Sequence, residues 1–314
     1  MTKENLRKLA HLAVAAAMVP ALTAQTALAW GNDGHKMINR LAAANLPKDV
    51  PAFLRSASAL DTLEYLGSEP DRWRNKAEAD LAATQTPEHF IDLEYADLIG
   101  TLPRKRYDYV RALAKAQAEY PNLRLTPERV GLQPYAAEEV YERLKSTMRD
   151  YRHLHAAGRN TKPVETAILF YAGWLGHYAG DGSQPLHVTI QYGGWTGPNP
   201  HGYTTDHWIH PRFEVEYVSR NIHASGVAPL VKAAQPKLLN DEWNDYLSYL
   251  RRSATQVERI YQLDKAGGFS GTGTPEARAF VEERLAAGAI ELRDMIYTAW
   301  VRSGDPVEDY YGSY

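Results

Sequence analysis

The chain has 314 residues, 44% of them hydrophobic, enough for one large core or two small ones. Its formal charge is −3 with no block of like charge, which argues against a broad electrostatic grip on duplex nucleic acid. It has no cysteine, so disulfides, zinc–thiolate sites and cysteine nucleophiles are excluded.

The first 29 residues differ from the rest. Lys3, Arg7 and Lys8 form a basic start, an apolar Ala-rich run follows from about Leu9 to Leu22, and Ala27-Leu28-Ala29 is a small-x-small cleavage site. The run is short for a membrane anchor. The segment reads as an export signal, cut between Ala29 and Trp30 to leave a periplasmic or secreted protein. The removed piece carries three positive charges and one negative, so the mature charge becomes −5, which bound divalent cations would offset.

From Trp30 onward the pattern predicts an all-α fold: a compact multi-helix domain over residues 30–304 and a polar tail, "DPVEDYYGSY", at 305–314. Residues 34–46 place Met37, Ile38, Leu41, Ala42 and Leu46 at helical spacing. An irregular region with Pro70, Pro87 and Pro103 follows, from about Gly67 to Arg104. It puts Asp71 in a Pro-flanked loop beside Trp73, and His89 in an apolar, extended run. A second helix is expected over 136–158, with Val140, Leu144, Met148, Tyr151 and Leu154 on one side and Gly158 at its end.

The stretch "GHYAGDGSQPLHV", residues 176–188, packs His177, Asp181 and His187 among small residues. His177 and Asp181 are four apart and share a helix face. Imidazole nitrogen and carboxylate oxygen are good zinc donors. Pro185 ends the helix, and His187 can face the same cavity from the turn. A capped helix end with incidental histidines would also fit these residues alone.

A long aromatic loop, 192–211, carries Tyr192, Trp195, Tyr203 and Trp208. These rings suit bases, lipid or a sugar, or simply hold the loop shut. His210 and Glu214 then lie four apart at the start of another helix. His207 is a rival, but Pro211 stands four residues after it and cannot ligate. Residues 240–263 continue the helical pattern, and 274–300 form a last helix with Thr274 as N-cap and Pro275 in the first turn. At the other end, His35 lies five residues from the new N-terminus, whose free amine and carbonyl can chelate a metal after cleavage.

Taken together, a mature terminal Trp, W-x4-H, an Asp in a Trp-rich turn, H-F-I-D, and H-x3-D-x5-H with "QPLH" resemble the trinuclear-zinc superfamily. That superfamily contains the single-strand-preferring nucleases of the S-one/P-one type, including mung bean nuclease, and the bacterial zinc-dependent phospholipases C. The resemblance runs from Trp30 through Glu214 and implies a helical domain with a zinc cluster at the base of a cleft. It implies three zinc ions: one on Asp71, His89, His177 and Asp181, one on His187, His210 and Glu214, and one on the Trp30 amine and carbonyl, His35 and a shared Asp181. The expected activity is phosphodiester hydrolysis by zinc-activated hydroxide, with Asp71, Asp181 and Arg74 as the catalytic set.

Within the superfamily the signals divide. The Trp30–His35 spacing, Phe90 after His89 and Arg74 three after Asp71 resemble the nucleases, where an aromatic stacks a base and an arginine contacts phosphate. Phe90 also fits plain core packing, and Arg74 a surface residue. Glu214 as the last ligand resembles the phospholipases, since the nucleases usually have Asp. The expected substrate is single-stranded DNA or RNA, with a phospholipid head group as the alternative, and the chain is expected to act as a monomer. An envelope zinc-binding protein without turnover is the reading from another class.

Overall fold

The computed structural model describes residues 30–307. The expected export signal and most of the expected tail lie outside the described residues. Among the described residues, no helix is long and apolar enough to cross a membrane.

The fold is all-α, as expected. Among the described residues the one strand-like pairing is an isolated antiparallel bridge between Ile91 and Gly131. The longer helices are α1 (Gly31–Ala44), α2 (Ala57–Leu66), α3 (Arg106–Glu119), α4 (Gln133–Ala156) and α5 (Lys162–Ser183). They are followed by α6 (Ala224–Ala233), α7 (Glu242–Ala254), α8 (Val257–Lys265) and α9 (Pro275–Arg302). A continuous apolar core runs from Trp30 to Ala299.

Several ends follow the local chemistry that the sequence carries. Thr274 caps α9 by accepting a hydrogen bond from the Ala277 N–H at 3.2 Å, with Pro275 next in line. Gly158 takes the left-handed conformation, φ 64°, just past the end of α4. Other expectations need correction. The single helix expected over 240–263 is two, because the Thr255 hydroxyl donates to the Arg252 carbonyl at 2.7 Å and the Gln256 N–H folds back onto Ser253. The region expected to be irregular, 67–104, is a chain of short helices and 3₁₀ turns. Asp71 sits in the one-turn helix Glu69–Arg72, not a loop, because Pro70 is pre-set for a first turn. His89 closes the 3₁₀ turn Thr86–His89, opened by Pro87, and the extended backbone begins only at Phe90.

Helix α5 is the axis of the fold and packs against α1, α2, α4 and α9. Small residues along it bring the neighbours unusually close. A Cβ at Gly176 would lie 2.0 Å from Asn39 Oδ1, and one at Gly180 would lie 2.8 Å from His35 Nδ1. Asn39 cannot retreat easily, since its amide donates to the Leu63 and Gly173 carbonyls at 2.9 Å each and so ties α1 to both α2 and α5. Gly176→Ala should therefore destabilise the protein by about 2 kcal/mol, the usual penalty for overpacking a fixed site. Urea denaturation checks this; an unchanged midpoint would mean that α1 and α5 are free to separate.

Candidate metal centre

Five short pieces of chain converge on one buried point. Helix α5 supplies His177 and Asp181 from one face, and the 3₁₀ turn Pro185–His187 that follows it supplies His187. The Glu69–Arg72 turn supplies Asp71, held in place by Trp73 packing edge-on against Trp174 of α5 at 4.9 Å. The 3₁₀ turn before Phe90 supplies His89, and α1 supplies His35. The fifth piece is the helical run Ile209–Asn221, in which Arg212–Glu216 widens to a π-turn. This turn carries Glu214, and such bulges are frequent at functional sites. His210 precedes it by four residues.

Asp181 is the hub and is fully buried. Its Oδ2 lies 3.3 Å from His89 Nδ1 and 3.4 Å from His177 Nε2, while its Oδ1 lies 3.4 Å from His35 Nε2. Asp71 Oδ1 stands 3.8 Å from His89 Nδ1 and 3.9 Å from His177 Nε2, and those two nitrogens are 2.9 Å apart. A second group sits alongside: Glu214 Oε2 is 3.0 Å from His210 Nε2 and 3.6 Å from His187 Nε2. Three sets of donors thus come together closely enough to hold metal ions: Asp71, His89 and His177; His35, His177 and Asp181; and His187, His210 and Glu214. His210, not His207, belongs to the cluster; His207 is exposed beside Asp206.

The surrounding hydrogen bonds orient these donors. The His177 Nδ1–H donates to the Gly67 carbonyl at 2.8 Å, which turns Nε2 toward Asp181. The His187 Nδ1–H donates to the His89 carbonyl at 2.7 Å, leaving Nε2 to face Glu214. Such bonds fix tautomer and ring direction in metal sites. Gln184 is a residue the sequence reading passed over. Its amide donates to Glu214 Oε2 at 2.8 Å and accepts from the Leu186 N–H at 2.6 Å, so it fixes both the turn and the carboxylate. The signal was there in the stretch "QPLH".

The electrostatics of the protein alone are strained. Both oxygens of Asp181, His187 Nε2, both nitrogens of His210 and Glu214 Oε1 are buried with no hydrogen-bond partner among the described residues. Each such group costs about 1–3 kcal/mol. Burial pushes Asp181 well above the usual carboxylate range and Asp71 to about 6. Burial, reinforced by neighbouring positive charge, holds His89 and His177 well below the usual histidine range. Burial also disfavours charged Glu214, but the close approach of His210 and His187 to its carboxylate prevails and holds it at about 2. Cations held by the three donor sets would satisfy these groups.

The other expected site residues surround the cluster. Arg74 Nη1 is 3.2 Å from Asp71 Oδ1, so it is not an ordinary surface residue. Phe90 is half-buried and stands apart from the apolar core that takes in Ile91 and Leu93. Trp30 is fully buried, with its ring N–H within hydrogen-bond distance of the Gly180 carbonyl and of Ser183 Oγ, at 2.8 and 2.7 Å, and its ring packs on Phe213. Its φ of 42° makes it the one non-glycine residue with left-handed backbone among those described. In the aromatic loop, Trp195 and Tyr203 pack with Tyr261 and hold the loop in place, while Tyr192 and Trp208 remain exposed.

No family model matches the chain, and no curated protein matches it.

The folded pKa of Asp71, about 6, exceeds its ordinary 3.8. Its contribution to stability is therefore fully present below pH 3.8 and is lost as the pH rises through 6. A shift of about two units is worth about 3 kcal/mol. With chelator present, the unfolding free energy of wild type relative to Asp71→Asn should fall by about 3 kcal/mol between roughly pH 4 and pH 7. His89 and His177 titrate in both proteins and largely cancel. Urea titrations at several pH values measure this, and a pH-independent difference would mean that Asp71 is ionised throughout.

Proposed function

We propose that the chain is an exported, zinc-dependent phosphodiesterase that hydrolyses single-stranded DNA or RNA. The observation that carries this reading is the buried cluster at and beside Asp181, where three donor sets lie among unsatisfied nitrogen and oxygen atoms. The donor chemistry fits zinc. Tetrahedral zinc with bonds of about 2.0–2.1 Å separates its ligands by about 3.3 Å. The spacings among Asp71, His89, His177 and Asp181 run from 2.9 to 3.9 Å, on either side of that value. Under this reading, one zinc is held by those four residues and one by His187, His210 and Glu214. A third is held by His35, Asp181 and the Trp30 backbone, whose amine is free once the chain is cut after Ala29.

Bound zinc lowers the pKa of water toward neutrality and neutralises charge on a reacting phosphate. The protein's own groups do the rest. Asp181 and Asp71 position the cluster, and Asp71 also keeps Arg74 beside it at 3.2 Å, where the guanidinium can meet a phosphate oxygen. Three divalent ions against the carboxylates of Asp71, Asp181 and Glu214 leave a net positive centre in a chain that is otherwise acidic. Such a centre concentrates a polyanionic substrate. Under this reading half-buried Phe90, next in sequence to His89, stacks a base, an interaction that tolerates any sequence and needs an unpaired strand. Glu214 favours a second reading, zinc-dependent phospholipase C, because of its extra methylene relative to the nuclease pattern.

Elemental analysis after zinc-supplemented purification should find about three zinc ions per chain. Asp181→Asn should lower that number and abolish hydrolysis of bis-(p-nitrophenyl) phosphate. Zinc binding with no hydrolysis by wild type would instead make the protein a metal binder. Phe90→Ala should leave the small diester unaffected and slow cleavage of single-stranded DNA by roughly 10-fold, the loss of one stacked base. Cleavage of phosphatidylcholine, with nucleic acid ignored, would assign the phospholipase reading.

A further inference from the structure

A cavity separate from the metal centre lies between α7 and α9, with a volume of about 450 Å³. Its walls include Tyr249, Arg252 and Ser253 from α7, and Arg284, Ile290 and Glu291 from α9; none of these is a candidate metal donor. Two features of the cavity are unusual. The first is its pair of guanidiniums. Arg252 is near enough to Arg284 to disfavour the latter's charge, yet among the described residues neither has a carboxylate oxygen within 4.0 Å. Arg284 is largely buried, and its Nε has no hydrogen-bond partner. The second is Glu291, a carboxyl that is 8% exposed and whose Oε1 also lacks a partner. Burial pushes Glu291 up to about 8; Arg252 opposes that shift while Asp294 and Asp245 add to it. The group is therefore a neutral O–H donor near pH 7. Two guanidiniums without a close ion pair, Arg284 facing Glu283 only at longer range, and one carboxylic acid thus line the same cavity, a set of donors that suits an anion.

We propose that this cavity binds a phosphate monoester, its dianion held between Arg252 and Arg284 and its organic part resting against Ile290 and Tyr249. Guanidinium pairs match phosphate geometry through parallel N–H bonds. The cavity is larger than inorganic phosphate requires, which leaves room for an organic body. A mononucleotide and a glycerol phosphate share the chemistry that the arginines would recognise. The site does not depend on the zinc reading, because it contains none of those residues.

Calorimetry of the full chain in EDTA, titrated separately with inorganic phosphate, 5′-AMP and glycerol 3-phosphate, tests the proposal. The chelator removes any phosphate binding that zinc would contribute. Binding of at least one ester is expected, tighter than that of inorganic phosphate, weakened at least 10-fold in Arg252→Gln and abolished in Arg284→Gln. Asp181→Asn should bind the ester as wild type does. Arg252 is exposed, so its variant tests the site even where Arg284→Gln fails to fold. No ester binding in EDTA, or equal binding by wild type and Arg252→Gln, would overturn the proposal.

Discussion

Asp181 has no exposed surface, and neither of its oxygens has a hydrogen-bond donor, yet it stands within 3.4 Å of His35, His89 and His177. Leaving a carboxylate in such a place costs several kcal/mol unless a cation or donors compensate. The surrounding construction follows from that constraint. Histidines present lone pairs, not positive charges, because burial keeps His89 and His177 neutral. Backbone carbonyls of Gly67 and His89 take the Nδ1–H groups of His177 and His187. Arg74 lies 3.2 Å from Asp71 Oδ1 and is the guanidinium beside these acids.

The irregular backbone is concentrated where the cluster has to be assembled. Regular helix delivers three of the donors, His177 and Asp181 on one face of α5 and His35 on α1. The remaining partners come from short helical turns, two 3₁₀ turns and a π-turn. The 3₁₀ and π turns depart from plain α geometry by a residue, which re-aims a side chain without moving the helix that carries it. The close approach of α1 to α5, permitted by Gly176 and Gly180, then brings His35 against the hub. The buried Trp30 ring fixes where the chain enters α1, at the cost of one left-handed residue. Structural stability is sacrificed at the site, and the long core helices α4, α5 and α9 have to make it up.

This organisation suits the proposed hydrolase for a physical reason. A buried, preorganised set of anionic and neutral donors gains its stability only when cations arrive, so metal binding and the stability of the centre are one equilibrium. The same occupancy that relieves the acids would create the positive centre that a phosphodiester needs. Phe90 and the exposed rings of Tyr192 and Trp208 lie in or beside the segments that carry His89, His187 and His210. Aromatic surface is thus available to a substrate that has bases or acyl chains to bury.

Much of this was legible in the sequence, because it depends on local spacing. Helical periodicity announced the all-α fold, Thr274 and Gly158 marked helix ends, and a four-residue separation placed His177 with Asp181 and His210 with Glu214 on shared faces. The break between α7 and α8 was missed, since a single hydroxyl bonding to the backbone decides it while the apolar pattern runs on. The one-turn helix of Asp71 and the 3₁₀ turn of His89 were missed for a similar reason: turns this short have no periodicity to read. Tertiary structure alone decided the distances at which His35, His89 and His177 stand around Asp181, that Gln184 steadies Glu214, and that Arg252, Arg284 and Glu291 line a separate cavity. Those facts depend on helix packing distances, and a distance between helices is set by which side chains are small enough to let them touch.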